Sequence, residues 1–201
     1  MLKLFNKTCF NAQRGAMFGL DARLTLAILA GLSIVAGASM AQIMQDRRAD
    51  NLLFEHSKVS SAVAAIQEDL ETNVHDSLTS SDDTNAYLAL VDGTLLTPAA
   101  ERNWLGPYLR EFYSNDHDSY GDIFLMRRQD AIASACTATV IRNRECFYYY
   151  VVSEVPITTV EDVNENLDGA EGTPQSTGAV QWDTITANDA RLYMRLGLVA
   201  P

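Results

Sequence analysis

From Leu24 to Met44 the chain runs for 21 residues without a charge, interrupted only by small or weakly polar side chains. About twenty apolar residues are enough to cross a bilayer as a helix. Between Leu24 and Asn73 there is no proline, and Gly31 and Gly37 are the only glycines, so one long helix is predicted over the whole stretch. Its character changes part-way. The first half is apolar all round, whereas the stretch from Gln45 to Val74 places Leu52, Val59, Val63, Ile66, Leu70 and Val74 at mostly three- and four-residue steps with charges between them. Such a helix lays one face against the rest of its own chain; a coiled coil would need sustained heptads, which are missing. In the apolar half Ser33, Gly37 and Ala41 recur every fourth residue, a stripe that permits close helix approach, and Gly37 is a point where the helix would stretch.

After the helix comes a polar break, "HDSLTSSDDTN", a loop by composition. Tyr87 to Leu96 reads as a short helix or a strand, and Thr97 followed by Pro98 reads as a cap and first position of another short helix. Then the signal changes to period two. "GDIFLMRR", "CTATVIR" and "ECFYYYVVSEV" are rich in β-branched and aromatic residues, "RNR" forms a turn between the second and third, and "STGAVQWDT" returns as a further strand. The tail "TANDARLYMRLGLVAP" fits either a last helix or an extended segment. The expected class is α+β: a long N-terminal helix, its first half membrane-spanning, packed on a small antiparallel sheet.

Charge gives this layout an orientation. Lys3, Lys7 and Arg14 precede the apolar run, and acids dominate the chain beyond it, with a net charge of −11 for the whole chain. Basic residues flanking a span stay cytoplasmic, so the bulk of the chain is expected outside, behind a single span; the resemblance described below implies that the span is in the inner membrane and the C-terminal domain in the periplasm. No basic face is visible beyond Arg127–Arg128 and the Arg142/Arg144 pair, so no direct nucleic-acid partner is expected. Cys9 falls on the cytoplasmic side, while Cys136 and Cys146 fall in the exported part, where a disulfide pinning the "RNR" hairpin is expected; two small buried thiols are the alternative.

The segment "RGAMFGLDARLTLAILAG" admits three readings. A secretory signal would be cut after Ala38 or Ala41, but its apolar stretch is normally shorter. A plain signal anchor treats Asp21 as an interfacial residue, with Arg23 snorkelling beside it. The third reading is a resemblance: the order of a basic leader, a small residue, and an acid just before an apolar helix resembles the class III leader of type IV pilins and type II secretion pseudopilins. In those leaders the cut precedes a helix whose fifth mature residue is acidic. A cut after Gly15 makes Leu20 the fifth residue and a cut after Gly19 makes it Leu24, whereas a cut after Ala16 makes it Asp21. Ala16, Met17 and Asp21 stand where the family usually has Gly, Phe and Glu.

The resemblance implies a leader over residues 1–16, a long helix over 17–73 and a soluble α+β pilin-like domain over 74–201. It implies a prepilin peptidase that cuts at Ala16 and methylates Met17, an inner-membrane assembly platform, and a homopolymeric filament at the cell surface or in the periplasm. Until assembly the partner of the helix would be membrane lipid. Asp21 would neutralise the N-terminal amine of a neighbouring subunit in a dry filament core, where an unpaired carboxylate is costly, with Arg23 as a second polar contact. Cleavage would remove three positive charges and take the net charge from −11 to −14. "GPYL" at Gly106–Leu109 and "DSYGDIF" at Asp118–Phe124 resemble, more loosely, the approach to the first strand of major pseudopilins, and "VPITTVEDVNENLDG" resembles a pilin segment in which a strand ends at Val-Pro and a short helix follows.

Catalysis is not expected, because the three histidines, His56, His75 and His117, are not in metal-ligand spacing, and no phosphate loop or nucleophile elbow is present. The only cofactor the sequence suggests is calcium. Asp162, Asn164, Asn166 and Asp168 alternate before Gly169 in the manner of a calcium loop, and major pseudopilins bind calcium in a late loop; a solvated turn is the plainer reading. The acidic run at Asp116, Asp118 and Asp122 has a weaker version of the same claim. Two other classes remain open: a membrane-anchored periplasmic binding or scaffold domain that does not polymerise, and an exported hydrolase active in the soluble part from about Asp50.

Overall fold

The computed structural model describes residues 14–110, 114–130, 134, 136–137, 141, 145–169 and 178–200, with the backbone alone for 14–18, 20 and 21. The chain divides into two compact units, Met1–Met44 and Gln45–Pro201. One helix, α1, spans Arg14–Leu70. In the first unit every residue from Ala22 to Met44 is exposed, including Leu24, Leu26, Ile28, Ile34 and Val35. Among the described residues α1 is the one helix long and apolar enough to cross a membrane.

In the second unit α1 obeys the amphipathic pattern: Leu52, Val59, Val63, Ile66 and Leu70 are all buried, as is Val74 just beyond the helix. Glu71 ends the helix in the left-handed region, with φ 53°. Short helices α2 (Asp83–Leu88) and α3 (Pro98–Glu101) come next. The Asp82 carboxylate accepts the Thr84 N–H and so caps α2. Thr97 occupies the predicted cap of α3 with Pro98 after it, but its side chain makes no capping bond; its carbonyl accepts the Glu101 N–H instead.

The sheet has four antiparallel strands, β1 (Ile123–Arg128), β2 (Phe147–Pro156), β3 (Val180–Thr184) and β4 (Asp189–Leu198), in the order β1-β2-β4-β3. The helix α4 (Ile157–Asp168) starts directly after Pro156 and carries the chain from β2 to the far edge, and the tail takes the extended alternative, pairing between β2 and β3 as β4. On one face Leu125, Tyr148, Tyr150, Val152, Leu192 and Met194 join the α1 stripe in the main core. On the other face Tyr149, Val151 and Tyr193 form a smaller buried cluster. Alternation along β2 thus feeds two cores. The register slips between Val152 and Val155, where Glu154 sits at φ 59°, a bulge that bends the strand towards α4.

Cys136 and Cys146 are bonded, with their Cα atoms 5.9 Å apart, but the hairpin expected around them is absent among the described residues. Cys136 and Thr137 are irregular, and the Ile141 N–H bonds the Thr137 carbonyl as in a helix; residues 138–140 and 142–144 lie outside the described residues. β2 pairs with β1 along one edge and with β4 along the other, and four of the seven residues of "CTATVIR" lie outside the described residues. The disulfide instead ties the β1–β2 connection to the residue preceding β2.

Fully buried Ile66 sits in the middle of the helix stripe, whereas Leu105 is 77% exposed. Ile66→Ala is expected to cost about 2–5 kcal/mol, and Leu105→Ala to stay within about 0.5 kcal/mol, in denaturant titrations followed by tryptophan emission.

Candidate functional site

The N-terminal residues singled out from the sequence share one element. Ala16 and Met17 lie in the first turn of α1, Asp21 one turn later, and Arg23 is exposed at the start of the apolar half. Lys3 and Lys7 of the expected leader, like Cys9, lie outside the described residues. The helical geometry puts Met17 and Asp21 four residues apart, on one face.

The candidate calcium residues do not form a loop. Asp162, Asn164, Asn166 and Asp168 all belong to α4, where a step of two residues turns about 200°, so alternate side chains point to opposite sides. Three of the four have partners of their own. Asp162 accepts from the Gln45 amide at 3.0 Å, the Asn166 amide bonds the Asp162 carbonyl at 2.8 Å, and Asp168 accepts the N–H groups of Ala179 and Val180 at 3.0 and 2.8 Å. Asp168 therefore fastens the end of α4 to the start of β3. Gly178 makes room for it: a Cβ there would come within 2.5 Å of an Asp168 carboxylate oxygen. Among the described residues no group of three or more His, Cys, Asp or Glu side chains is placed to hold a metal ion.

Other polar side chains of the second unit converge where sequence reasoning saw no site. Glu55 of α1 accepts the Tyr150 hydroxyl at 3.0 Å and pairs with the His117 Nε2 at 2.9 Å, through the same carboxylate oxygen. Burial and the neighbouring Glu55 charge push the Tyr150 hydroxyl well above its ordinary range, so it remains a donor. His117 thereby clips the loop before β1 to α1, and the loop sets Tyr120 beside the imidazole, the rings tilted by 47° with centroids 4.7 Å apart. His75 pairs with Asp83 at 3.0 Å and stacks on Tyr148, whose hydroxyl accepts the Val74 N–H. His56 bonds the Arg195 carbonyl at 2.9 Å. All three histidines thus join α1, or the turn after it, to other elements. No periodic signal could have revealed these pairs, which join residues 8 to 139 positions apart.

At the C-terminal end of α1, Arg127 of β1 bonds Asn73 at 3.0 Å and Asp76 at 2.7 Å, while Asn73 also donates to Asp76. Burial would raise the Asp76 carboxyl, but the Asn73 amide and the Arg127 guanidinium outweigh it and hold it below the usual range. A second tether uses "GPYL". Tyr108 donates its hydroxyl to Asp69 of α1, and the Leu90 carbonyl accepts both the Tyr108 and the Leu109 N–H. Trp104 lies between Gly93 and Gly106, where Cβ atoms would approach the indole to 2.7 and 2.5 Å.

The chain matches no family model, no curated protein and no solved structure.

Two measurements test these contacts. Because the folded pKa of Asp76 lies below its unfolded value, its contribution is present above the ordinary carboxylate range and disappears as pH falls through the folded value. Asp76→Asn is therefore expected to flatten the fall in Tm between about pH 4 and about pH 2, read by thermal melts. Asp168→Ala leaves two strand-entry N–H groups unpaired and is expected to cost about 1–3 kcal/mol, by the same amount with and without added calcium.

Proposed function

We propose that the chain is a filament subunit of the type IV pilin or secretion-pseudopilin kind, processed at Ala16–Met17 and polymerised through its N-terminal helix. The observation that carries this reading is the division of α1. One helix has a wholly exposed apolar half over Ala22–Met44 and a second half whose stripe completes the core of an α+β unit. Exposed apolar surface on this scale needs a non-aqueous partner, either lipid or other helices. Asp21, fifth from the proposed new terminus, supports the choice of helices. In lipid a carboxylate at that position is only tolerated at the headgroup level, whereas a bundle of helices uses it to neutralise the Met17 amine of a neighbour. Four residues separate the two groups within one chain, so a partner one step along the fibre brings amine and carboxylate together without distorting either helix.

The α+β fold is consistent with a pilin-like head, and the bonded cysteines suit an exported one. Single-pass insertion with the head in the periplasm precedes assembly in this scheme, and the assembled fibre carries the acidic surface outward.

The test is the N-terminal mass of the chain purified from membranes of a bacterium that carries a prepilin peptidase, followed by shear fractions of wild type and Asp21→Ala. A chain starting at Met17, with fibres in the wild type and only membrane-bound subunit in Asp21→Ala, is the expected result. An intact Met1, or a start near Ser39 or Gln42, would leave an anchored or secreted acidic domain in place of a filament subunit.

A further inference from the structure

The apolar run ends abruptly in charge. Leu24–Met44 supplies 21 uncharged residues, close to what the hydrocarbon core of a bilayer, about 30 Å thick, takes up, and "QDRRAD" follows at once. A span of that length brings Arg47 and Arg48, three and four residues past Met44, to the level of the lipid headgroups. Both belong to α1, in the part that opens the second unit, and both are exposed. Among the described residues neither forms an ion pair, although Asp46 and Asp50 flank them in the sequence. Burial pushes the Tyr120 hydroxyl up and the Arg48 charge opposes it, which is the one influence of either guanidinium on a titrating group of the second unit among the described residues.

The neighbouring carboxylates are turned elsewhere. Asp46 and Asp50 line a cleft with Asp162 and Glu165 of α4, and Ala49, on the same side of the helix, is buried. At about 100° per residue Arg47 and Arg48 are turned about 100° and 200° from Asp46, and neither lines that cleft. The first turn of the second unit thus sorts its charges around the helix: acids towards α4, guanidinium groups away from it.

We propose that Arg47 and Arg48 bind the phosphate groups of anionic phospholipids in the leaflet that faces the second unit. Charge and chemistry select this occupant. A chain with 26 acidic and 15 basic residues is repelled by an anionic lipid surface except where its cations reach that surface first, and these two stand next to the span. Each guanidinium presents a planar fork of N–H donors that grips two phosphate oxygens together. A basic residue near such a surface adds roughly fivefold in affinity. The site deepens the filament reading, on which it rests for the membrane span: a subunit waiting in the membrane is held at a set height by the first turn of its second unit as well as by its apolar half.

The experiment uses the full chain with Cys9→Ser and a fluorophore on the thiol introduced by Met44→Cys, three and four residues before the arginines and so on their side of the helix. Reconstituted in phosphatidylcholine vesicles, the label is quenched in parallel series by phosphatidylglycerol or phosphatidylcholine carrying the same nitroxide near the top of one acyl chain. The expected result is that the phosphatidylglycerol quenches at about threefold lower mole fraction, and that Arg47→Gln with Arg48→Gln makes the two lipids equal. Inorganic phosphate at constant ionic strength should leave the preference in place. Circular dichroism confirms that the double variant keeps its fold. Equal quenching by both lipids in the wild type, or a preference that survives the double variant, overturns the site. A preference that inorganic phosphate abolishes overturns lipid as the occupant in favour of free phosphate. A chain that does not float with the vesicles has no span, which removes this site and the filament reading together. Chains that float and form Asp21-dependent fibres but show no lipid preference overturn the site alone.

Discussion

The contact between the apolar stripe of α1 and the inner face of the sheet is the one around which the second unit is arranged. Leu52, Val59, Val63 and Ile66 meet side chains of β1, β2 and β4 in a single core, so the helix is as much a part of that core as any strand. Full burial of each such side chain contributes about 1.5–3 kcal/mol, so the stripe carries a large share of the unit's stability. The polar tethers then fix where the helix sits. Glu55, Asp69 and the turn after Leu70 each hold a different segment against α1, through Tyr150 and His117, Tyr108, and Tyr148 with Arg127. Their net worth is modest individually, but removing one partner leaves a buried group unsatisfied, and that asymmetry gives them their specificity.

The core of the second unit takes its side chains from Ala49 onward, while every residue from Ala22 to Met44 is exposed. The apolar side chains of the first unit therefore have to be covered by something other than their own sheet. The division of labour within α1 is set by pattern alone: apolar all round where the surroundings must be apolar, and striped where one side faces water.

Much of this was legible in the sequence because it depends on short-range periodicity. The stripe from Leu52 to Val74 repeats at helical steps, and β1, β2 and β3 show β-branched and aromatic runs between turn residues. One reading failed where a local signal was outvoted. The alternating oxygens of "DVNENLD" suggested a ligand loop, yet Val160, Val163 and Leu167 run through the same residues at steps of three and four, and that apolar spacing made the helix. The His117–Glu55 pair was not legible at all, since it joins parts of the chain far apart in sequence. Of the N-terminal site, the register of Asp21 was visible only as a count of residues from a small side chain; the helix adds that Met17 and Asp21 share a face.

The setting of Trp104 has a consequence of a different kind. It and Trp182 are the two tryptophans of the chain, and both belong to the second unit, one wedged between Gly93 and Gly106 and the other 7% exposed in the main core. The apolar half of α1 contains none. Intrinsic emission is therefore a built-in gauge of the head alone, silent about whether the helix lies in detergent, lipid or a bundle of its neighbours. Unfolding of the head can thus be followed in an unlabelled sample whatever surrounds the helix.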